Sequence, residues 1–300
     1  MTTTTLAPAV ADAPRKGRRP VSRSFWQTAW RRLARDRVAL VCGAILLIIF
    51  LAAIFAPLIA PYDPYRTSMA RRLLPIGDAR HWLGTDELGR DLLSRLIYGG
   101  RMSLFMGFMP VILATLIGGT LGLIAGYCGG AINMAIMRVT DVFYAFPSVL
   151  LAVAISGVLG AGLANSLVSL TLVFTPPIAR VAESVTTQIR NQDYVEAARA
   201  TGAAGWRIVF GHVLSNVTGP ILIYASSMIS VSIVIASGLS FLGLGVTPPD
   251  AEWGLMLNTL RQSIYVAPVN AILPGIMIFV TSMSLNLISD SLRASMDVKV

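Results

Sequence analysis

The chain alternates long stretches that lack any charged side chain with shorter polar ones. Residues 38–60 are apolar and uncharged. About 20 consecutive apolar residues carry a helix across the hydrocarbon of a bilayer, so this stretch predicts a first membrane span. Pro57, Pro61 and Pro64 end it, because proline lacks the amide donor that a continuing helix needs. A polar segment, 61–101, follows. Residues 102–137 hold no charge and predict a second span over 103–127, closed by Gly129-Gly130. Further apolar stretches predict spans over 131–159, 163–183, 217–239 and 266–288. Residues 240–262 are rich in Gly, Pro and Trp, and Pro248-Pro249 excludes regular helix there. Irregular backbone at membrane depth is tolerated only against protein or a water-filled cavity. A short re-entrant segment or gate is therefore expected, with Trp253 anchoring it at the interface. The fold class predicted is an all-α membrane protein of six transmembrane helices.

Composition narrows the class. Hydrophobic residues make up 55% of the chain and charged ones 13%, against roughly 25% charged in soluble domains. The net charge of +9 is local: residues 1–37 carry nine Lys/Arg against Asp12 and Asp36, whereas the rest carries 15 basic and 13 acidic groups. The partner of that basic tail is the lipid bilayer; no polar domain remains to bind nucleic acid. Residues 1–22 read as a disordered tail. In residues 23–37, Phe25, Trp26, Trp30, Leu33 and Ala34 share one helical face, which fits either a helix lying at the headgroups or the first turns of span one. The first apolar run begins at Val38 and lasts 23 residues, too long for a cleavable signal. Basic flanks stay cytoplasmic. The N-terminus is then inside, and six crossings return the 292–300 tail to the same side. The loop 184–215 also lies inside, and 61–101 and 240–265 lie outside.

Several chemistries are excluded. The lysines are Lys16 and Lys299 alone, so no phosphate-binding loop with its lysine can form and the chain is not an ATPase. His81 and His212 are too far apart for a triad or a zinc site, and Cys42 and Cys128 both sit in apolar segments, so no enzyme, metal or disulfide site is expected. Asp141 is the one acid inside a span and away from its last turn. Arg138 lies one helical turn before it and is expected to neutralise it, which weighs against a proton-coupled carrier. Sodium sites made of backbone carbonyls leave no such trace.

The loop reading NQDYVEAARATGAAGWRIVFGHVLSN carries the most local signal. Asp193 and Glu196 have N-cap and N3 spacing, predicting a helix over 193–201 that Gly202 ends. A second helix is predicted over 206–214. The resulting elbow is expected to expose Tyr194, Val195 and a smooth surface of Ala197, Ala198 and Ala200. Before span two, Thr85 is expected to cap a helix that begins with Asp86 and Glu87, and Asp91 to pair with Arg95. Leu88, Leu92, Leu96 and Ile97 face one side of that helix. It rests on the outer surface of the bundle or touches a binding protein. Gly118, Gly122, Gly126 and Gly130 recur every four residues, the pattern of close helix packing in lipid. Ser226, Ser230 and Ser237 make one face of span five faintly polar; they line a pathway or bond their own backbone.

The elbow resembles the EAA loop of ABC importer permeases, with Glu196-Ala197-Ala198, Gly202 and Ile208 at the family spacing. HWLGTDELGRDLLSRLIYGGRMSL, AFPSVLLAVAI, SGLSFLGLGVTPPDAEWGLML and LNLISDSLR resemble the dipeptide, oligopeptide and nickel branch, in particular the second subunit of its permease pair. Two departures loosen the elbow. Ser215 stands where the family has proline before Asn216, and Ala203-Ala204-Gly205 offers no polar cap. The resemblance implies a type I importer bundle with a five-span core over 102–291. It implies a coupling helix in which Tyr194, Val195, Glu196, Ala197, Ala198, Gly202 and Ile208 dock on an ATPase. It also implies the partners: a second permease subunit, two ATPase domains holding ATP and Mg, and an extracytoplasmic substrate-binding protein. This chain itself would need no cofactor. The cargo implied is peptide-like, with nickel chelates and haem left open. Two other classes compete: a self-sufficient secondary transporter or channel, and a non-transporting scaffold.

Overall fold

The structure, a computed structural model, describes residues 35–296. The expected tail over 1–22, the apolar face from Phe25 to Ala34 and the last four residues lie outside the described residues.

Helix α1 (Arg37–Ile54) starts where the Asp36 carboxylate accepts the Val38 amide at 2.9 Å. It is followed by a single turn, Ala56–Ile59, with Pro57 in its opening turn. Helix α2 (Leu92–Cys128) is capped by Asp91, which accepts the Ser94 amide at 2.8 Å, and ends at Gly129 with φ +69°. Helices α3 (Gly130–Tyr144) and α4 (Ser148–Leu159) meet at 87°. The single span expected over 131–159 is thus broken, because Pro147 has no amide to continue the ladder. Then come α5 (Leu163–Arg190), α6 (Asp193–Ala200), α7 (Gly205–Phe241), α8 (Trp253–Leu260) and α9 (Pro268–Met296). Among the described residues there is no strand, only an isolated bridge between Thr85 and Asp91.

Four helices, α1, α2, α7 and α9, are long and apolar enough to cross a membrane, and five segments are if the bent α3–α4 pair counts as one. Helix α5 has the length, 28 residues, but not the apolarity, since Asn165, Pro176, Pro177 and Arg180 interrupt it. Part of its polarity is satisfied within the helix. Thr171, Thr175 and Thr186 each donate to the carbonyl four residues back, and α5 makes its broadest contact with α2.

Contacts order the bundle. A side chain at Gly118 would meet the Thr175 carbonyl at 2.6 Å; at Gly122 it would collide with the Ala179 carbonyl, and at Gly126 it would meet the Glu183 carbonyl at 2.7 Å. Both numberings rise together, so α2 and α5 run parallel. A chain leaving one end of α2 must therefore travel back before α5 begins, and α3–α4 covers that return. Helix α7 runs antiparallel to α2: the Ser232 hydroxyl donates to the Met106 carbonyl at 3.2 Å, and Tyr127 Oη donates to the Gly205 carbonyl at 3.4 Å. Ser291 donates to Asp36 at 2.6 Å. One end of the bundle thus gathers the start of α1, the end of α2, the α6 segment and the end of α9. The fourth glycine of the row does not pack: Gly130 has open space around it and φ +53°, so it serves the turn.

The opposite end is capped by residues 61–91. Thr85 does not cap a helix; its hydroxyl bonds the Arg71 carbonyl and receives the Leu74 amide, and the helix begins seven residues later. Asp91 does not pair with Arg95 either, because it is already committed to the cap and to His81 Nδ1 at 2.9 Å. Arg95 instead lies 3.3 Å from Asp86, which also holds Arg90 at 2.6 Å, and donates to the Pro64 carbonyl at 3.0 Å. Burial, then the charge of Asp86, raises the pKa of the Glu87 carboxyl, which sits 3.1 Å from Arg90. Trp253 is not an interface anchor: it is 0% exposed, with Nε1 donating to the Leu96 carbonyl at 2.9 Å. Gly99 and Gly100 make room for its ring. Glu252 caps α8 through the Gly254 and Leu255 amides at 2.9 and 2.8 Å and receives the Ser103 hydroxyl at 3.1 Å.

Breaking one partner of a buried ion pair strands the other, at about 3–5 kcal/mol. Asp86→Asn is therefore expected to loosen the cap, seen as a lower melting temperature in detergent and new protease cuts within 61–91. A melting curve and digest matching the unaltered protein would show that Arg90 and Arg95 do not depend on Asp86.

Candidate functional site

The elbow is built from short-range preferences. Helix α5 ends at Arg190, and α6 begins after Gln192, whose side chain makes no cap bond. Asp193 is the first helical residue rather than the cap, so the expected box with Glu196 does not form. Both acids still stand in the first turn, where the helix dipole favours negative charge. Gly202 adopts φ +78°, a conformation that glycine takes without steric cost. The Ala203 amide then reaches back to the Ala198 carbonyl at 3.1 Å and closes the helix end. Helix α7 opens at Gly205 without a side-chain cap, and its turn Val209–Val213 is π-helical. That defect, centred on Gly211, has no counterpart in the sequence expectations; such bulges often mark hinges.

Burial corrects the expected surface. Val195 is 0% exposed and Ile208 1%, so neither projects toward a partner. Both belong to the core cluster that holds Phe174 and Ile178 of α5 and Val213 and Val217 of α7. They fasten the elbow to the bundle. Tyr194, Glu196, Ala197 and Gly202 are exposed, and Ala198 is half-buried. Trp206 and Phe210 add 63% and 66% exposed aromatic surface. The sequence places them on an apolar helix without singling them out, although their four-residue spacing puts them on one face.

Polar contacts tie the elbow to three long helices. Arg190 donates to the Gly126 and Tyr127 carbonyls at 3.3 and 3.0 Å, satisfying acceptors left open at the end of α2. The Arg199 guanidinium lies 5.5 Å from the centre of the Tyr127 ring. Tyr194 Oη accepts from Asn216 at 3.3 Å, and its ring stands 6.3 Å from that of His212. The elbow is therefore in contact with α2, α5 and α7 together.

A second feature lies among the spans. A cavity of about 350 Å³ opens where the α3–α4 bend faces Pro176 and Pro177 of α5 and Met228 and Val231 of α7. Of the three serines, Ser226 donates to the Ile223 carbonyl at 2.7 Å and Ser230 to the Ser227 carbonyl at 2.8 Å. Ser237 is buried, with its backbone against Gly254. Asp141 does not pair with Arg138 but with Arg180 of α5. Among the described residues no cluster of three His, Cys, Asp or Glu gathers to hold a metal, and Cys42 and Cys128 are free.

The family described as binding-protein-dependent transport system inner membrane component matches residues 118–300, and the N-terminal transmembrane domain of oligopeptide transport permease C matches residues 24–75. The glutathione transport system permease protein GsiD of Pectobacterium atrosepticum is 41% identical, over 93% of this chain and 92% of its own. The dipeptide transport system permease protein DppC of Alkalihalophilus pseudofirmus is 40% identical, over 92% and 91%. Among solved structures, the inward-facing MetNI methionine ABC transporter matches with a TM-score of 0.56 at 19% identity, covering 68% of this chain and 97% of the other. An amino acid ABC transporter crystallised with histidines matches with a TM-score of 0.51 at 16% identity, covering 66% and 92%.

Proposed function

The chain belongs to the family of binding-protein-dependent transport system inner membrane components, and on that premise we propose that it forms one half of the pore of an ATP-driven importer of di- and oligopeptides. The observation that carries this reading is the elbow: an exposed face of Tyr194, Glu196 and Ala197 on a helix bolted by Val195 and Ile208 to the spans it would move. The cargo reading rests on relatives named for glutathione and dipeptide transport.

In this reading the elbow faces the cytoplasm, together with both termini. A second permease subunit completes the pore, two ATPase domains bind ATP and Mg, and an extracytoplasmic binding protein delivers cargo to the capped end. Helix α5, parallel to α2, supplies the sixth crossing. Closure of the ATPase pair pushes α6, and the contacts of Arg190, Arg199 and Tyr127 carry that push into α2, α5 and α7. The π-helical turn at Val209–Val213 is where α7 gives. The route for cargo runs past the cavity at Pro176-Pro177, with Ser226, Ser230 and Ser237 of α7 as its candidate polar lining.

Co-purification in mild detergent tests this reading. The tagged chain, expressed with its native partners, is expected to bring an ATPase with it and to lose it when residues 193–202 are replaced by a Gly/Ser linker. A chain that purifies stably alone, under several detergent and nucleotide conditions, would instead favour a self-sufficient carrier.

A further inference from the structure

Asp141 of α3 and Arg180 of α5 form an ion pair, and the Arg180 guanidinium lies 5.0 Å from the centre of the Tyr144 ring. Arg180 stands ten residues before the end of α5, about 15 Å along the helix at 1.5 Å per residue. That level is where α5 packs on Gly118 and Gly122 of α2, well inside the bundle. Yet the Arg180 and Asp141 side chains remain 49% and 45% exposed on this chain. Charged groups at such a depth avoid hydrocarbon and turn to water-filled cavities or protein. The cavity of about 350 Å³ adjoins the pair: Tyr144, which stacks on Arg180, is also part of its wall, beside Phe143, Phe146, Pro176 and Pro177. Its size falls in the range of small-molecule sites, roughly 300–1,000 Å³.

We infer that the Asp141–Arg180 pair reads zwitterions: a peptide in transit splits it, its carboxylate going to Arg180 and its ammonium to Asp141. The exchange trades one ion pair for two, so neither protein charge is left uncompensated while the pair is open, which is the costly state for a partly desolvated charge. A guanidinium accepts a carboxylate through two parallel N–H···O bonds. The Tyr144 face holds the cation through its ring electrons while the anion changes. Peptides with both ends free are recognised, and peptides blocked at both ends leave the pair closed. This inference rests on the peptide-importer reading and names the residues that would select cargo within it.

The test uses the assembled importer in nanodiscs, with Cys42→Ala and Cys128→Ala to silence the native thiols and Ser148→Cys, on the wall of the same cavity, as a reporter that leaves Asp141, Arg180 and Tyr144 in place. Labelling of the introduced thiol by a water-soluble methanethiosulfonate is followed by intact mass. The thiol is expected to react, and millimolar dialanine to slow it at least fivefold. N-acetyl-dialanine amide is expected to leave the rate unchanged, and Arg180→Gln to remove the protection. Equal rates with the two peptides overturn the inference. So does a reporter thiol that never reacts, because the pair would then face protein or lipid rather than an aqueous route. Uptake of dialanine by the unaltered importer separates the two levels. Uptake without selective protection sinks this site alone, whereas an importer that takes up no peptide sinks the reading beneath it.

Discussion

Gly122→Leu is expected to remove folded protein from the membrane fraction. The Cβ that any other residue carries would fall within collision distance of the Ala179 carbonyl, 2.6 Å from the Ala182 Cβ and 2.8 Å from the Glu183 amide. Two of those three atoms are backbone, so no rotamer change relieves the clash, and the whole of α5 must move. Over-packing in a core usually costs about 1–3 kcal/mol because side chains can yield; here they cannot, and the loss should exceed that range. Gly122→Ala should already lower the yield and the melting temperature. Gly119 is the internal control, since it has open space where its Cβ would lie. Gly119→Ala should be neutral or slightly stabilising, glycine being about 1 kcal/mol worse than alanine inside a helix. Size-exclusion profiles of the three variants check this, and a monodisperse Gly122→Leu at normal yield would refute the parallel α2–α5 packing.

Glu196→Lys is expected to abolish uptake, by about 100-fold or more, while insertion and melting temperature stay normal. Glu196 is exposed and makes no side-chain hydrogen bond or ion pair among the described residues, so inside the chain its replacement costs only the helix-dipole contribution of the first turn, about 0.3–1 kcal/mol. Beyond that, charge reversal acts on whatever binds the outer face of α6. Val195→Asp is the complementary variant. It buries a charge at a position with no exposure, so it should detach the elbow and lower the melting temperature as well as uptake. Measured together, the two separate a docking fault from a folding fault. Normal uptake by Glu196→Lys at normal expression would contradict the coupling role.

Much of this architecture is legible in one dimension. The uncharged stretches locate α1, α2, α7 and α9, because the requirement to cross about 30 Å of hydrocarbon acts on consecutive residues, but not their ends: α2 and α7 begin at Leu92 and Gly205, well before the expected 103 and 217, and α9 runs on to Met296. Gly202 marks the end of α6 for an equally local reason, its positive φ. The glycine row of α2 announced a close contact but could not say with what, and the answer, the backbone of α5, lies more than fifty residues away. At the elbow, the sequence located the helix and misjudged its faces. Val195 looked exposed on a short polar helix, but Val213 and Val217 of the next span turn it inward.

The sequence by itself determined that this is a helical membrane protein, where most of its spans fall, and that a helix–glycine–helix elbow interrupts them. Each follows from hydrophobicity, proline and glycine acting over a turn or a span. Only the tertiary structure decided which charges pair and which surfaces are buried. Asp141 chose Arg180 over Arg138, one turn away, and Arg95 chose Asp86 over Asp91. Trp253 went to the core against Gly99 and Gly100 rather than to the interface. Long polar and aromatic side chains take the partner that the assembled bundle brings within reach, and sequence spacing does not record that distance.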